Sequence, residues 1–128
     1  MEIKVLTNAE EEIMQILWRL KKAFIKEILE KFDEPKPAYS TVSTIIRILF
    51  EKGFVKYKAY GRTYQYFPVI SKDEYRKTRM SSFVRDYFSN SYQKMVSFFV
   101  REGFITVKEM DEIMEVLSKE EKEKHKKR

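Results

Sequence analysis

The apolar positions of this chain fall into six stripes of helical period and one stretch of strand alternation, which together predict a mainly α protein. Thr7-Asn8-Ala9-Glu10 reads as a capping box, in which a hydroxyl and a carboxylate satisfy amides left open at a helix start. Ile13, Ile16, Leu17 and Leu20 follow at helical spacing and predict a first helix from about Asn8 to Lys21, with Trp18 beside its apolar face as a core anchor. Ile25, Ile28, Leu29 and Phe32 predict a short second helix over Ile25–Phe32. Asp33-Glu34-Pro35-Lys36-Pro37 stops it, because proline lacks an amide proton and disfavours helix in the residue before it. A third helix is expected from near Ser40, with Val42, Ile45, Ile46, Leu49 and Phe50 as its buried stripe and Gly53 as its left-handed stop.

The period then changes. Phe54 to Ala59 alternates, Gly61-Arg62 supplies a turn, and Thr63 to Val69 returns, which predicts a β-hairpin rich in aromatic and β-branched residues. Pro68 sits at its end, where a lost ladder bond costs little. Ser71-Lys72-Asp73-Glu74 is a second capping box and opens a helix of about Lys72–Phe88, interrupted by Ser89-Asn90-Ser91. A fifth helix, Tyr92–Glu102, carries Met95, Val96, Phe98, Phe99 and Val100 and stops at Gly103. Thr106-Val107-Lys108-Glu109 caps a sixth, with Met110, Ile113, Met114 and Leu117 on one face. The expected organisation is a winged helix-turn-helix over residues 1–70 (three helices plus a β-hairpin wing), a three-helix region over 71–120, and a charged tail over 121–128 that frays.

Composition narrows the function. At 128 residues with 43% hydrophobic content, the chain can build one domain, or a small domain and an accessory segment. No apolar run approaches the roughly 20 residues that span a bilayer, and the acidic start MEIKVLTNAEEE has no signal-peptide core. The expectation is a cytoplasmic protein without membrane insertion. There is no cysteine, and the single histidine, His125, lies in the tail EKEKHKKR. Disulfides, thiolate metal sites, cysteine nucleophiles and histidine-based catalysis therefore lack their residues. No metal, no cofactor and no enzymatic activity are expected.

The net charge of +6 is uneven: +3 over residues 1–70, zero over 71–117, and +3 over 118–128. Between Lys36 and Tyr64 stand six basic residues (Lys36, Arg47, Lys52, Lys56, Lys58 and Arg62) against one acid, Glu51. A basic first half points to a polyanion and a neutral second half to a protein partner. In the third helix the apolar stripe leaves Ser40, Thr41, Ser43, Thr44 and Arg47 on or near the other face. Small hydroxyl side chains let a helix sit deep in the major groove and bond base edges or phosphates, and an arginine one turn on reaches a guanine edge or a phosphate. The alternative is a solvated face with serines as helix caps. Arg62 at the hairpin tip suits a minor groove or a phosphate. Lys56 and Lys58 share one strand face and suit phosphates, or else guard a sheet edge against aggregation. Tyr39 and Tyr60 flank this surface, as phosphate donors or as packing residues.

The second half is dense in aromatics: Tyr75, Phe83, Tyr87, Phe88, Tyr92, Phe98, Phe99 and Phe104. Three helices of this length make a thin core alone. A second copy would bury Phe83, Tyr87, Phe88, Met95, Phe98, Phe99, Ile113 and Leu117 as a dimer interface, and a two-fold DNA site calls for a dimer. The alternative is a single intramolecular core.

These residues carry a resemblance. The runs LTNAEEEIMQILWRL and STVSTIIRILFEKGFVKYKAYGRTYQYFPVIS resemble the penicillinase-repressor family (BlaI/MecI/CopY). The matching positions are Leu6, Thr7, Glu11, Ile13, Met14, Ile16, Leu17 and Trp18, then Thr41, Val42, Thr44, Glu51, Lys52 and Gly53. SKDEY and MVSFFVREGFITVKEMDEI extend the likeness to about residues 5–117. It implies a homodimeric repressor on a palindromic operator in double-stranded DNA. It also implies derepression through a membrane-bound sensor metalloprotease, or a protease it activates, that cuts the dimerisation region. Well-studied members are cut at an Asn-Phe bond; the aligned position here is Phe98-Phe99, a departure from that pattern. Copper-responsive relatives carry a cysteine cluster, which this chain lacks. Two rival readings stay open: a winged helix serving protein contact with incidental DNA binding, and an enzyme.

Overall fold

The computed structural model describes residues 3–126, with side chains through Lys124, so the side chain of His125 lies outside the described residues. Six helices and three strands follow in the order α1 (Asn8–Leu20), β1 (Ala23–Phe24), α2 (Ile25–Glu30), α3 (Tyr39–Glu51), β2 (Val55–Tyr60), β3 (Thr63–Pro68), α4 (Lys72–Phe88), α5 (Tyr92–Arg101) and α6 (Val107–Lys126). The chain forms two compact units, one through Met80 and one from Ser81.

The first unit is a winged helix. Its α1 begins as its sequence dictates: the Thr7 hydroxyl accepts from the Glu10 amide at 3.2 Å and the Glu10 carboxylate from the Thr7 amide at 2.8 Å. Ile13, Met14, Ile16 and Leu17 of α1 pack with Ile25 and Ile28 of α2 and with Val42, Ile46 and Leu49 of α3. Leu6, Ala23, Phe54, Val55 and Tyr75 complete this core. Trp18 is half-buried against it and donates from Nε1 to the Ile70 carbonyl at 2.9 Å.

The hairpin is not a free two-stranded wing. Ala23–Phe24 pairs antiparallel with β3, so the sheet runs β1-β3-β2. A two-residue strand has no periodicity to read; what fixes it is Ala23, wholly buried and opposite Tyr66. Tyr60 and Thr63 close the β2–β3 ladder around Gly61-Arg62. Only Gly61 of the two takes a positive φ, +62°, the pattern of a II′ turn, whose twist suits a hairpin. Two other expectations change. α2 ends at Glu30 instead of Phe32, and Phe50, expected in the core stripe, is exposed and packs on Tyr57 at a ring distance of 5.5 Å.

The second unit has little interior of its own. Val84 and Met95 are its buried apolar side chains. Phe83, Tyr87, Phe88, Phe98, Phe99 and Phe104 form a chain of ring contacts with centroids 5.1 to 6.4 Å apart. Ser89 and Asn90 adopt positive φ and separate α4 from α5. Ser91 then caps α5, its hydroxyl accepting from the Lys94 amide at 3.1 Å. Thr106 and Glu109 form the expected box before α6. α6 continues to Lys126, past the point where fraying was expected. Its last turns are rich in Lys and Glu, both good helix formers. No helix among the described residues is long and apolar enough to cross a membrane.

Candidate nucleic-acid interface

Helix α3 has three sides. At about 100° per residue, Val42, Ile46 and Leu49 form one, and all three are buried in the core. Tyr39, Ser43 and Phe50 form the second, turned toward the sheet. Ser40, Thr44, Arg47 and Glu51 lie on the third and are exposed to solvent. Thr41, also exposed, stands at the margin of that third side furthest from the sheet. The structure thus gathers Ser40, Thr44 and Arg47 on one free arc and turns Ser43, half-buried, toward the wing. The Thr44 hydroxyl donates to the Ser40 carbonyl at 2.9 Å, which spends its one proton on the helix and leaves an acceptor facing outward.

Sheet alternation sorts the wing in the same way. Tyr57 pairs with Tyr66, Lys56 with Phe67 and Lys58 with Gln65. Because Tyr57 meets Phe50 of α3, the face carrying Tyr57, Tyr64 and Tyr66 is turned toward α3, and Lys56 and Lys58 point from the other face. The Lys58 ammonium lies 5.3 Å above the ring of Tyr60, and Tyr60 makes an edge contact with Phe24. Arg62 is exposed at the hairpin tip.

An open groove of about 490 Å³ runs between α3 and the wing. Tyr39 and Ser43 line it from α3, Ile25, Lys26 and Glu27 from the start of α2, and Arg62, Thr63, Tyr64 and Tyr66 from the wing. Tyr39, Ser43 and Arg62 were singled out in the sequence, and the groove brings them together. Tyr64, Tyr66 and Lys26 were not: Lys26 lies outside the basic run, and a tyrosine in a strand reads first as a packing residue. Burial, together with the neighbouring Tyr39, Tyr57 and Tyr64, pushes the Tyr66 hydroxyl above its ordinary value of 10.

One buried polar bridge holds α3 in place. Lys52, the residue that caps its C-terminal end, donates to both carboxylate oxygens of Glu10 at 2.8 and 2.9 Å. Burial works against the charge of Glu10, but Lys52 and the Thr7 amide outweigh it and the carboxyl titrates below its ordinary value of 4.5. A second bridge ties down the first turns of α4: the buried Tyr75 hydroxyl accepts from the Leu6 amide at 2.9 Å and donates to Glu11 at 2.6 Å. Burial and the Glu11 bond push Tyr75 up to about 12.

Of the side chains expected at a dimer interface, Phe83, Tyr87, Phe98, Ile113 and Leu117 are exposed. Phe88 and Phe99 are half-buried, and Met95 is turned inward. The Phe98-Phe99 bond lies within α5. The Phe98 carbonyl accepts from Glu102 at 2.9 Å and that of Phe99 from Phe104 at 2.8 Å.

The model of the penicillinase repressor family matches residues 6–119 of the chain. The methicillin resistance regulatory protein MecI of Staphylococcus aureus (strain N315) is 25% identical over 115 residues, which covers 89% of this chain and 94% of MecI. The penicillinase repressor of Bacillus licheniformis is 23% identical over 128 residues, covering 99% and 96%. Among solved structures, the DNA binding domain of the repressor BlaI matches with a TM-score of 0.51 at 24% identity, over 58% of this chain and 92% of that one. That likeness is one of fold, and it is the winged helix.

Proposed function

The chain belongs to the penicillinase repressor family, and we propose that it is a sequence-specific transcriptional repressor that binds a palindromic operator as a homodimer. Its relatives bear the names of repressors and regulatory proteins, not of enzymes. The observation that carries the reading is the free arc of α3, with Ser40, Thr44 and Arg47 exposed beside a hairpin tipped by Arg62. Hydroxyls and one arginine on a helix face are a base-reading set, and a basic wing tip beside them grips backbone. Thr41 and Ser43 flank the arc, Tyr39 adds a contact to the sugar-phosphate chain, and Lys56 and Lys58, on the wing face turned away from α3, reach phosphates that pass on the far side of the wing. A protein with this task works in the cytoplasm, where the operator is.

Dimerisation falls to the second unit. Phe83, Tyr87, Phe98, Ile113 and Leu117 stay exposed on a unit with two buried apolar side chains among its described residues. A second copy would bury them and space two recognition helices by about one turn of DNA, roughly 34–36 Å. Release follows proteolysis in this unit, by a sensor metalloprotease or a protease it activates. The Phe98-Phe99 bond is the candidate, and its place inside α5 means the helix must open before cleavage.

The test is the salt dependence of binding to the duplex upstream of the protein's own gene, with a scrambled duplex as control. Preference for the native duplex, and affinity falling steeply as salt rises, is the expected result. Binding that ignores salt would favour the protein-contact reading and overturn this one.

A further inference from the structure

The groove between α3 and the wing has walls of an unusual kind for a surface that meets a polyanion. Two cations reach it, Lys26 and Arg62, and one acid, Glu27. The Glu27 carboxylate is occupied locally, accepting from the Phe24 amide at 2.9 Å. The rest of the polar lining is hydroxyl: Tyr39, Ser43, Thr63, Tyr64 and Tyr66. Thr63 donates to the Tyr60 carbonyl, which removes it as a donor.

The tyrosines differ from Tyr75. Where Tyr75 spends its hydroxyl on Leu6 and Glu11, no hydrogen bond among the described residues engages Tyr39, Tyr64 or Tyr66. The Tyr66 hydroxyl, on a half-buried residue, is not a buried group left without a partner. Tyr39 is 59% exposed and Tyr64 44%. The wing rings are held by their neighbours: Tyr64 packs on Tyr57 at 4.5 Å and meets Tyr66 edge-on at 6.4 Å, while Tyr39 reaches the groove from the first turn of α3. A donor on a ring fixed by its neighbours loses less freedom on binding than one on a lysine stem.

We propose that Tyr39 and Tyr64 are neutral hydrogen-bond donors to the DNA phosphate backbone, gripping a strand seated in the groove between α3 and the wing. This rests on the DNA-binding reading and deepens it: Arg62 and Lys26 supply the charge at the groove, and the tyrosines supply position without charge. Such contacts carry no base information, so they strengthen operator and scrambled duplex alike. They also release no counterions. The signature is therefore a loss of affinity with an unchanged salt slope, whereas each lost cation lowers the log-log slope by about 0.9.

The experiment measures the full-length protein and its Tyr39→Phe, Tyr64→Phe and Arg62→Gln variants against operator and scrambled duplexes across a salt series. Thermal unfolding of each variant checks that it folds as the parent does. Tyr64→Phe and Tyr39→Phe should each weaken both duplexes about tenfold, the scale of a hydrogen bond to a charged group, at the parent's slope. Arg62→Gln should lower the slope by about 0.9. Phenylalanine variants that bind as the parent does would overturn the tyrosine grip while leaving the repressor reading intact. So would a tyrosine variant that lowers the slope, which would mean a displaced cation, or one that weakens only the operator, which would mean base contact. A parent protein with no salt-dependent duplex binding would overturn both.

Discussion

Removing the ammonium of Lys52 asks how strongly the buried Glu10 carboxylate depends on its partner. Glu10 is 4% exposed and charged. Burial disfavours that charge; two bonds from Lys52 and one from the Thr7 amide favour it, and the balance holds its titration below 4.5. Lys52→Met keeps most of the aliphatic stem and deletes the charge. Stripping a fully buried carboxylate of its partner costs about 3–5 kcal/mol. Here Lys52 is 24% exposed, so water screens part of the attraction, and the Thr7 amide remains. The expected loss at pH 7 is about 2–3 kcal/mol.

The pH dependence makes the reasoning refutable. In the parent, the folded value of Glu10 lies below the unfolded one, so its contribution is present above the unfolded value and is lost as pH falls through the folded value. In Lys52→Met the lowering from Lys52 is gone while burial still raises the value, so the folded value of Glu10 lies above that of the parent. The variant then recovers relative stability as the carboxyl takes a proton. Urea unfolding of both proteins at pH 7 and near pH 4 should show the gap narrowing with acid. A gap of equal size at both pH values, or one below about 0.5 kcal/mol at pH 7, the scale of an ordinary surface change, would refute the account. Glu10→Met added to Lys52→Met should recover much of the loss, because no uncompensated charge is left inside.

Arg47→Ala should weaken operator binding by about 1–3 kcal/mol and relax specificity at one position; equal weakening across operator variants would assign Arg47 to phosphate. Tyr75→Phe leaves the Leu6 amide without its acceptor and should cost about 1–3 kcal/mol. Because the folded value of Tyr75 is raised from 10 to about 12, its contribution is complete below pH 10 and is lost as pH rises toward 12; a parent-minus-variant difference that does not shrink across that window would be the contrary result. Phe98→Asp should convert the dimer to monomer in sedimentation equilibrium, and a variant that stays dimeric would move the interface elsewhere. Ser91→Ala removes the cap of α5 and should cost that helix about 1 kcal/mol; chymotryptic cutting at Phe98-Phe99 should then quicken about fivefold, the change in the open population.

What the sequence made legible was local. The boxes at Thr7, Ser71 and Thr106 close within four residues, and each is present. The stops at Gly53 and Ser89-Asn90-Ser91 rest on φ preferences of single residues. The misses share the opposite character. The Glu10–Lys52 bridge joins residues 42 apart and the Leu6–Tyr75 bond residues 69 apart. Glu10 also reads fully as a capping carboxylate, which hides its second partner. β1 is two residues long and exists because β3 offers it an edge.

Phe50 shows why the candidate site was only half legible. By period it belongs with Val42, Ile46 and Leu49, and hydrophobicity alone cannot separate a residue packed in the core from one packed against a neighbouring exposed ring. The structure puts it on the wing side of α3, against Tyr57. The helix is therefore held from two directions, by the core and by the aromatic face of the sheet, and only one side remains free. Held that way, α3 cannot turn about its axis without breaking either the core packing of Ile46 and Leu49 or the contact of Phe50 with Tyr57. A helix that reads bases needs that constraint, since a rotation of one residue, about 100°, would replace Ser40, Thr44 and Arg47 on the free arc with Thr41, Ile45 and Ile48.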